Sequence, residues 1–239
     1  MTQWVAGVDG CRAGWFAILR DVTSGHTRHS LLRHIPEILG LPEKPEIISV
    51  DIPTGLLNEA RRGGRECDRI AREILRQPRA RSVFSPPVRA ALSHKKYEHA
   101  LAENRVSSPE GVGISRQCFG LFEKIRQVDE WMDQHKQERV REVHPELCFF
   151  ELNHQRPMPH SKKSEDGLRE RRSLLVKEGF GAVIEQATGG TARQEVAQDD
   201  ILDACVACWT AERLWSRVAV RIPQNPPMDG NGLRMEMWR

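Results

Sequence analysis

Short apolar runs separated by polar breaks fill the first quarter of the chain and predict β-strands. Gly10 and Gly14 lie between the first two runs, which indicates a hairpin with a longer turn. A short helix is predicted over 36–39, and Pro53 ends the fourth run. Three strands in a meander, a crossover helix and a fourth strand predict a mixed sheet whose fourth strand lies parallel to the first. The predicted strands cover 4–8, 16–19, 27–33 and 47–52.

Apolar residues at three- and four-residue steps predict helices through most of the remaining chain. A strand-like stretch over 140–152 interrupts them. The last helix opens near Asp199, which stands where an N-cap belongs, and its many alanines and cysteines favour close packing on a sheet. The pattern predicts one α/β domain over 1–239 with a helical inserted subdomain at about 58–112. The predicted helices cover 58–77, 88–102, 114–132, 162–178 and 199–214.

Composition narrows the class of protein. Of the 239 residues, 39% are hydrophobic and 29% are charged. No apolar run approaches the roughly 20 residues that cross a bilayer, which argues against a membrane protein. Residues 1–10 lack the basic flank and apolar stretch of a secretion signal, so we expect a cytoplasmic protein with reduced thiols. Cys205 and Cys208 have zinc-ligand spacing, but they fall in an apolar helix where cysteine acts as a small hydrophobe.

Basic residues concentrate in the predicted helical insertion. Residues 59–105 contain twelve Lys or Arg and six Asp or Glu, which gives this segment a net charge of +6, whereas the whole chain carries +3. Such a segment beside an acidic remainder is typical of a lobe that binds a polyanion next to a metal-binding core. A solvated helical face is the alternative interpretation.

Four aspartates form the candidate chemistry. Asp9 and Asp51 each end an apolar strand, where a lone carboxylate is costly to bury. If these strands are parallel neighbours, both side chains emerge at one sheet edge. Asp200 and Asp203 are three residues apart, so they share a helix face. Converging carboxylates repel one another unless a cation is bound, and a hard dication such as Mg²⁺ prefers oxygen ligands.

Each of these aspartates also has a structural interpretation. Asp9 and Asp51 can begin turns, and aspartates in the first turn of a helix suit its dipole. For Asp199 the capping role is preferred. The combination of two strand-end aspartates with a D-x-x-D pair opening a small-residue helix favours a metal site over the separate structural roles.

Six short motifs in fixed order carry a family resemblance that covers nearly the whole chain. The sequence resembles a bacterial and archaeal domain-of-unknown-function family whose members are predicted nucleases of ribonuclease H-like fold. The motifs are GVDGCRAGW at 7–15, DIPTGL at 51–56, RECD at 65–68, SVFSPP at 82–87, EVHPE at 142–146 and DDILDA at 199–204.

The resemblance implies a ribonuclease H-like, mixed five-stranded sheet flanked by helices, with the basic helical insertion after the fourth strand. Holliday-junction resolvases share this fold and carry a D-x-x-D-A pair on their last helix, which Asp200, Asp203 and Ala204 match. By this similarity Asp9, Asp51, Asp200 and Asp203 are both the catalytic residues and the ligands of Mg²⁺ or Mn²⁺. The resolvases place a glutamate on the fourth strand, where this chain has the shorter Asp51.

Further residues are candidates for contacts with substrate. Glu142, His144 and Glu146 alternate along the strand predicted over 140–152, which would point all three to one face, although Pro145 indicates an edge or a bulge. Arginine and lysine complement the negative charge of a phosphate. The remaining candidates are Arg12, Gln117, Lys162 and Lys163.

The predicted function is a nuclease that hydrolyses phosphodiester bonds of DNA or RNA, using two metal ions to activate water and stabilise the leaving oxygen. Two alternatives stay open. The first is an ATP-handling enzyme of the actin-like and sugar-kinase fold group, although Gly189 and Gly190 make only a weak phosphate loop. The second is a nucleic-acid-binding module of the same fold without catalysis.

Overall fold

The first five strands form one mixed sheet in the computed structural model, which describes residues 2–190 and 194–239. The sheet has the order β3-β2-β1-β4-β5, in which β1 pairs antiparallel with β2 and parallel with β4. Helices flank it, so the predicted α/β, ribonuclease H-like architecture is confirmed, including the parallel fourth strand. The strands are β1 (Trp4–Cys11), β2 (Gly14–Asp21), β3 (Thr27–Leu32), β4 (Ile47–Val50) and β5 (Val140–Glu142).

Helices make up most of the remaining described chain. Two short strands, β6 (Arg221–Ile222) and β7 (Met237–Trp238), lie near its end. The α-helices are α1 (Glu66–Arg79), α2 (Tyr97–Val106), α3 (Arg116–Gly120), α4 (Phe122–Trp131), α5 (Gln134–Gln137), α6 (Pro145–Leu152), α7 (Glu165–Lys177), α8 (Gly181–Gly190) and α9 (Gln198–Trp215), and 3-10 helices cover Ile35–Gly40, Ala80–Ser82 and Arg89–Ser93. In the described parts of the chain, we find no helix with the length and apolarity that a membrane span requires.

The chain divides into two compact units. The first contains 1–52, 139–220 and 238–239, and the second contains 53–138 and 221–237. The sheet belongs to the first unit, and the predicted insertion at 58–112 lies within the second. All six cysteines are buried free thiols, including Cys205 and Cys208 on α9.

The packing of α9 on the sheet organises the first unit. This helix contacts β1, β2 and β4, and its alanines and cysteines are fully buried in the core. Gly7 on β1 makes the contact close, because a Cβ atom there would overlap the backbone N of Cys208 and the backbone O of Ala204. The small residues predicted to allow a close approach therefore bring the helix backbone against the strand.

Buried polar contacts order the second unit. Arg65 and Asp68 are almost fully buried and form an ion pair with an Nη2 to Oδ1 distance of 2.7 Å. Arg89 joins two parts of this unit by pairing with Asp129 at 3.0 Å and Asp229 at 2.5 Å. These contacts show that charged residues of the insertion also serve its folding, in addition to contributing basic surface.

Several predicted boundaries are wrong. The helix predicted from 58 begins at Glu66, because Gly63 and Gly64 adopt positive φ angles of 81° and 72° before it. The helix predicted over 88–102 is instead a 3-10 helix followed by α2. The strand predicted over 140–152 ends at Glu142, and Pro145 starts α6 because a proline is well tolerated in the first turn of a helix. Helix α8 was not predicted from the sequence.

The close contact between α9 and β1 gives a test of the packing. Gly7→Ala should lower the free energy of unfolding by about 1–3 kcal/mol or more, because backbone atoms of α9 must move to admit the methyl group. Denaturant unfolding of the purified variant measures the change. Gly189→Ala is the matched control, since alanine favours the helix and, among the described residues beyond its own stretch of α8, no heavy atom lies within 4 Å of its Cβ position. Equal stability of Gly7→Ala and the wild-type protein would contradict the close packing of α9 on β1.

Candidate metal centre

The parallel pairing of β1 with β4 places Asp9 and Asp51 side by side. Val8 is the register partner of Val50, and the backbone N of Asp51 donates to the O of Val8 at 3.0 Å. Asp9 and Asp51 follow these two valines directly. Neighbouring parallel strands in register point equivalent side chains to the same face of the sheet. The topology thus brings together two carboxylates that are 42 residues apart.

Helix α9 adds a third carboxylate. Asp203 precedes Ala204, whose backbone lies against Gly7, two residues before Asp9 on β1. One carboxylate oxygen from each of Asp9, Asp51 and Asp203 lies within 4.8 Å of the others. We call these three residues the aspartate cluster. Asp9 and Asp203 are buried, and Asp51 is partly exposed.

The aspartate cluster is unfavourable when its members are charged. Burial raises the pKa of Asp9 well above its ordinary value, and the charges of Asp51 and Asp203 add to the effect. Burial also raises the pKa of Asp51, to about 8. The pKa of Asp203 is raised by burial as well, although Lys162 opposes part of the shift. All three shifts have burial as their largest cause, and nearby negative charges add to it, so the site disfavours three charged carboxylates.

One oxygen of the aspartate cluster suits a cation especially well. Oδ1 of Asp203 is buried and has no hydrogen-bond partner among the described residues, and the side chain is only 1% exposed. A buried anionic oxygen without a partner is costly, and coordination to a cation removes that cost. With three carboxylates as donors, the chemistry of the site fits a hard, oxygen-binding cation better than a thiolate-binding metal.

Asp200 and Asp199 have roles at the start of α9. Oδ2 of Asp200 accepts the backbone N–H of Ala197 at 3.1 Å, and its charge contributes to the raised pKa of Asp9 and Asp51. Asp200 is not one of the three aspartates whose oxygens meet within 4.8 Å. The prediction that Asp199 is the N-cap is wrong, because Ala197 holds that position and Asp199 lies in the first turn.

A lysine-bearing loop lies against the aspartate cluster. Nζ of Lys162 donates to Oδ2 of Asp203, and it lies 3.9 Å from Oδ2 of Asp199. Nζ of Lys163 donates to Asp199 at 2.5 Å. Burial alone would lower the pKa of Lys162, but the charges of the three clustered aspartates outweigh it and raise the pKa above its ordinary value. Both lysines were candidates from sequence, whereas their aspartate partners were not foreseen.

The predicted one-face arrangement of Glu142, His144 and Glu146 is wrong, because β5 ends at Glu142 and α6 begins at Pro145. Glu142 is buried, and its charge adds to the raised pKa of Asp51. His144 is the N-cap residue of α6. Glu146 forms a buried ion pair with Arg171, with 2.7 Å between Oε1 and Nη2.

Two of the predicted contact residues are exposed side chains outside helix α9 and strand β4. Arg12 is exposed in the turn between β1 and β2, and Gln117 is exposed on α3 of the second unit. Arg171 is the polar residue of this region that sequence reasoning missed. Arg171 lies on the apolar stripe of α7, between Leu168 and Leu175. This position could have predicted a buried ion pair, because an arginine on an apolar stripe must be buried with a partner.

The family model described as "Protein of unknown function (DUF429)" matches residues 7–228. The chain belongs to this family. The resemblance drawn from the sequence motifs is thereby confirmed as family membership over most of the chain, and the description of DUF429 assigns no activity. All three members of the aspartate cluster lie within the DUF429 match. A search of curated proteins and a search of solved structures found no match.

The raised pKa of Asp51 predicts how the metal-free protein responds to pH. This carboxyl titrates at about 8 in the folded chain and near its ordinary value of 3.8 in the unfolded chain. Between these values the folded state binds more protons, so the contribution of Asp51 to stability is lost as pH rises through the folded pKa. The Tm of chelator-treated protein should therefore fall more between about pH 5 and pH 8 in the wild type than in Asp51→Asn.

Thermal unfolding of the two proteins across this pH range measures the difference. Titrating groups far from residue 51 cancel in the comparison. Asp9 adds to the difference in the same direction, because the charge of Asp51 raises its pKa in the wild type. Adding magnesium should reduce the pH dependence of the wild type, since a bound cation favours the charged carboxylates. Parallel Tm curves for the two metal-free proteins would refute the assigned pKa.

Proposed function

We propose that this chain is a divalent-metal-dependent nuclease, a hydrolase that cleaves phosphodiester bonds of DNA or RNA. The observation that carries the proposal is the aspartate cluster, in which three carboxylate oxygens meet within 4.8 Å and Asp203 keeps a buried oxygen without a hydrogen-bond partner in the described chain. Asp9, Asp51 and Asp203 would hold Mg²⁺ or Mn²⁺. Asp200 is a fourth candidate ligand, through the oxygen that does not accept the N–H of Ala197.

Some residues of the chain would hold the cation, and others would orient the substrate. A bound dication supplies the positive charge that activates a water and stabilises the leaving oxygen of a phosphodiester. Asp9 and Asp203 are buried and fixed by β1 and α9, whereas the partly exposed Asp51 borders the side that solvent reaches. Lys162, also partly exposed, can donate a hydrogen bond to a phosphate oxygen.

The proposed partner is a nucleic acid. Exposed basic residues of the second unit would bind backbone phosphates, as the +6 charge of 59–105 suggests. Candidates are the exposed side chains Arg61, Arg62, Arg69, Arg76, Arg81, Lys95, Lys96 and Arg105. Binding through them should weaken steeply as salt increases, because each neutralised phosphate releases a counterion.

The ATP-handling alternative receives less support. Gly189 and Gly190, the weak candidates for a second phosphate loop, lie in α8. A helical backbone uses its N–H groups internally and cannot wrap a phosphate there. The cleavage assays below distinguish the nuclease from a nucleic-acid-binding module without catalysis.

Cleavage assays with matched variants test the nuclease proposal. Purified protein is incubated with labelled single-stranded, double-stranded and branched nucleic acids in Mg²⁺ or Mn²⁺. Asp9→Asn and Asp203→Asn should each reduce cleavage by more than about a hundredfold. Losing a residue that only orients a metal ligand already reduces activity by about 10- to 100-fold, and losing the ligand itself should reduce it further. Asp166→Asn is the control, since Asp166 is exposed and forms its ion pair with Arg169 on the surface of α7.

The possible outcomes separate the candidate functions. Salt-sensitive binding without cleavage in either metal would favour the non-catalytic module, and turnover of ATP would favour the alternative enzyme. Cleavage that survives in both aspartate variants would show that the activity arises from another site or from a contaminant. Loss of cleavage in the Asp166→Asn control as well would point to a general effect of charge or folding.

A further inference from the structure

Lys162 neutralises part of the aspartate cluster in the protein alone. Its Nζ donates to Oδ2 of Asp203, a side chain with 1% exposure, whereas Lys162 itself is 33% exposed. The ammonium group thus reaches a buried carboxylate from a side that solvent can enter. Lys162 and Asp203 form an ion pair that joins positions 41 residues apart.

The loop that carries Lys162 is held in place on both sides of this residue. Nη1 of the buried Arg171 donates to the backbone O of His160 at 3.1 Å and to the O of Gly167 at 3.0 Å. The Oγ of Ser164 donates to the O of Ser161 at 2.8 Å and accepts the N–H of Gly167 at 3.1 Å.

Two further contacts fix this loop on α7. Glu146 pairs with Arg171 at 2.7 Å, so the guanidinium that holds the loop is itself buried and neutralised. A Cβ atom on Gly167 would overlap the backbone O of Ser161, so glycine is required for the close approach. Since the backbone is fixed in this way, motion of Lys162 is left to its long side chain.

Lys162 and a dication would both neutralise the negative charge of the aspartate cluster. Both are attracted to Asp203, and the charges of Asp9 and Asp51 also favour the charged form of Lys162. Like charges a few ångströms apart repel strongly where water is partly excluded. The contact between Lys162 and Asp203 therefore becomes less favourable when a dication enters the aspartate cluster.

We propose that Lys162 is an exchangeable internal cation, which binds Asp203 in the metal-free protein and is displaced toward solvent when a divalent cation enters the aspartate cluster. The displaced ammonium group is then available to a phosphate of the substrate. This inference rests on the proposed metal centre but does not require nuclease activity. In the metal-free protein, the ammonium group of Lys162 would take the place of the metal ion.

Amine labelling of the wild-type protein tests the displacement directly. The metal-free protein is treated briefly with N-hydroxysuccinimidyl acetate, with and without magnesium chloride at matched ionic strength. Mass spectrometry gives the acetylation rate of Lys162 relative to the exposed Lys177 at the end of α7. The relative rate should rise several-fold with magnesium, and the rise should disappear in Asp203→Asn. An unchanged or lower rate at magnesium saturation overturns the proposal.

Metal affinity provides a second readout. Calorimetric titration with Mg²⁺ and Mn²⁺ should show that Lys162→Met binds at least about tenfold more tightly than the wild type, since a charge-assisted contact no longer competes. Lys163→Met is the matched control, because it removes the same charge from the same loop but contacts Asp199. Its affinity should rise less. Equal increases in the two variants would show only a general effect of charge and would overturn the exchange.

The results distinguish this inference from the metal centre on which it rests. If wild type and Lys162→Met bind metal equally well, and Asp203→Asn does not, the metal centre stands and the exchange is refuted. If Lys162→Met binds metal and the wild type does not, Lys162 blocks the site instead of exchanging with the metal, so the exchange is refuted and the proposed nuclease fails for the native chain. If neither protein binds metal, both proposals fail.

Discussion

The mutual repulsion of three carboxylates, forced together by the packing of α9 against β1, is the constraint on which the structure of the site depends. Gly7 permits this packing, because its lack of a Cβ atom lets the backbone of α9 lie against the strand. Burial of the helix's alanines and cysteines stabilises that arrangement and fixes the position of Asp203. The hydrophobic core thus holds together charges that would otherwise separate, and a bound cation would balance them.

A cation can come from the chain or from solution. Lys162 supplies one positive charge through a loop that Arg171 and Glu146 fix to the first unit. One ammonium group does not balance three carboxylates, and the pKa of Asp51 is still raised to about 8. A dication carries twice the charge and can bind several oxygens at once, which explains why the same geometry fits a metal centre.

The sequence predicted the parts of the site that depend on strand order and periodicity. Asp9 and Asp51 were identifiable because each follows an apolar run, and Asp203 because it opens a helix of small residues. Prediction failed at 140–152, because a short apolar stretch is compatible with both a strand and a helix. In the structure Pro145 is the first residue of helix α6. The contacts of Lys162 and the burial of Arg171 depend on tertiary packing across many residues, which local pattern does not encode.

A crystal structure of the wild-type protein grown with Mn²⁺ tests the proposed metal centre most directly. Anomalous scattering identifies the ion without relying on any activity. We expect an anomalous peak within coordination distance of the carboxylate oxygens of Asp9, Asp51 and Asp203. Strong manganese peaks elsewhere, with no peak between these aspartates, would contradict the metal centre.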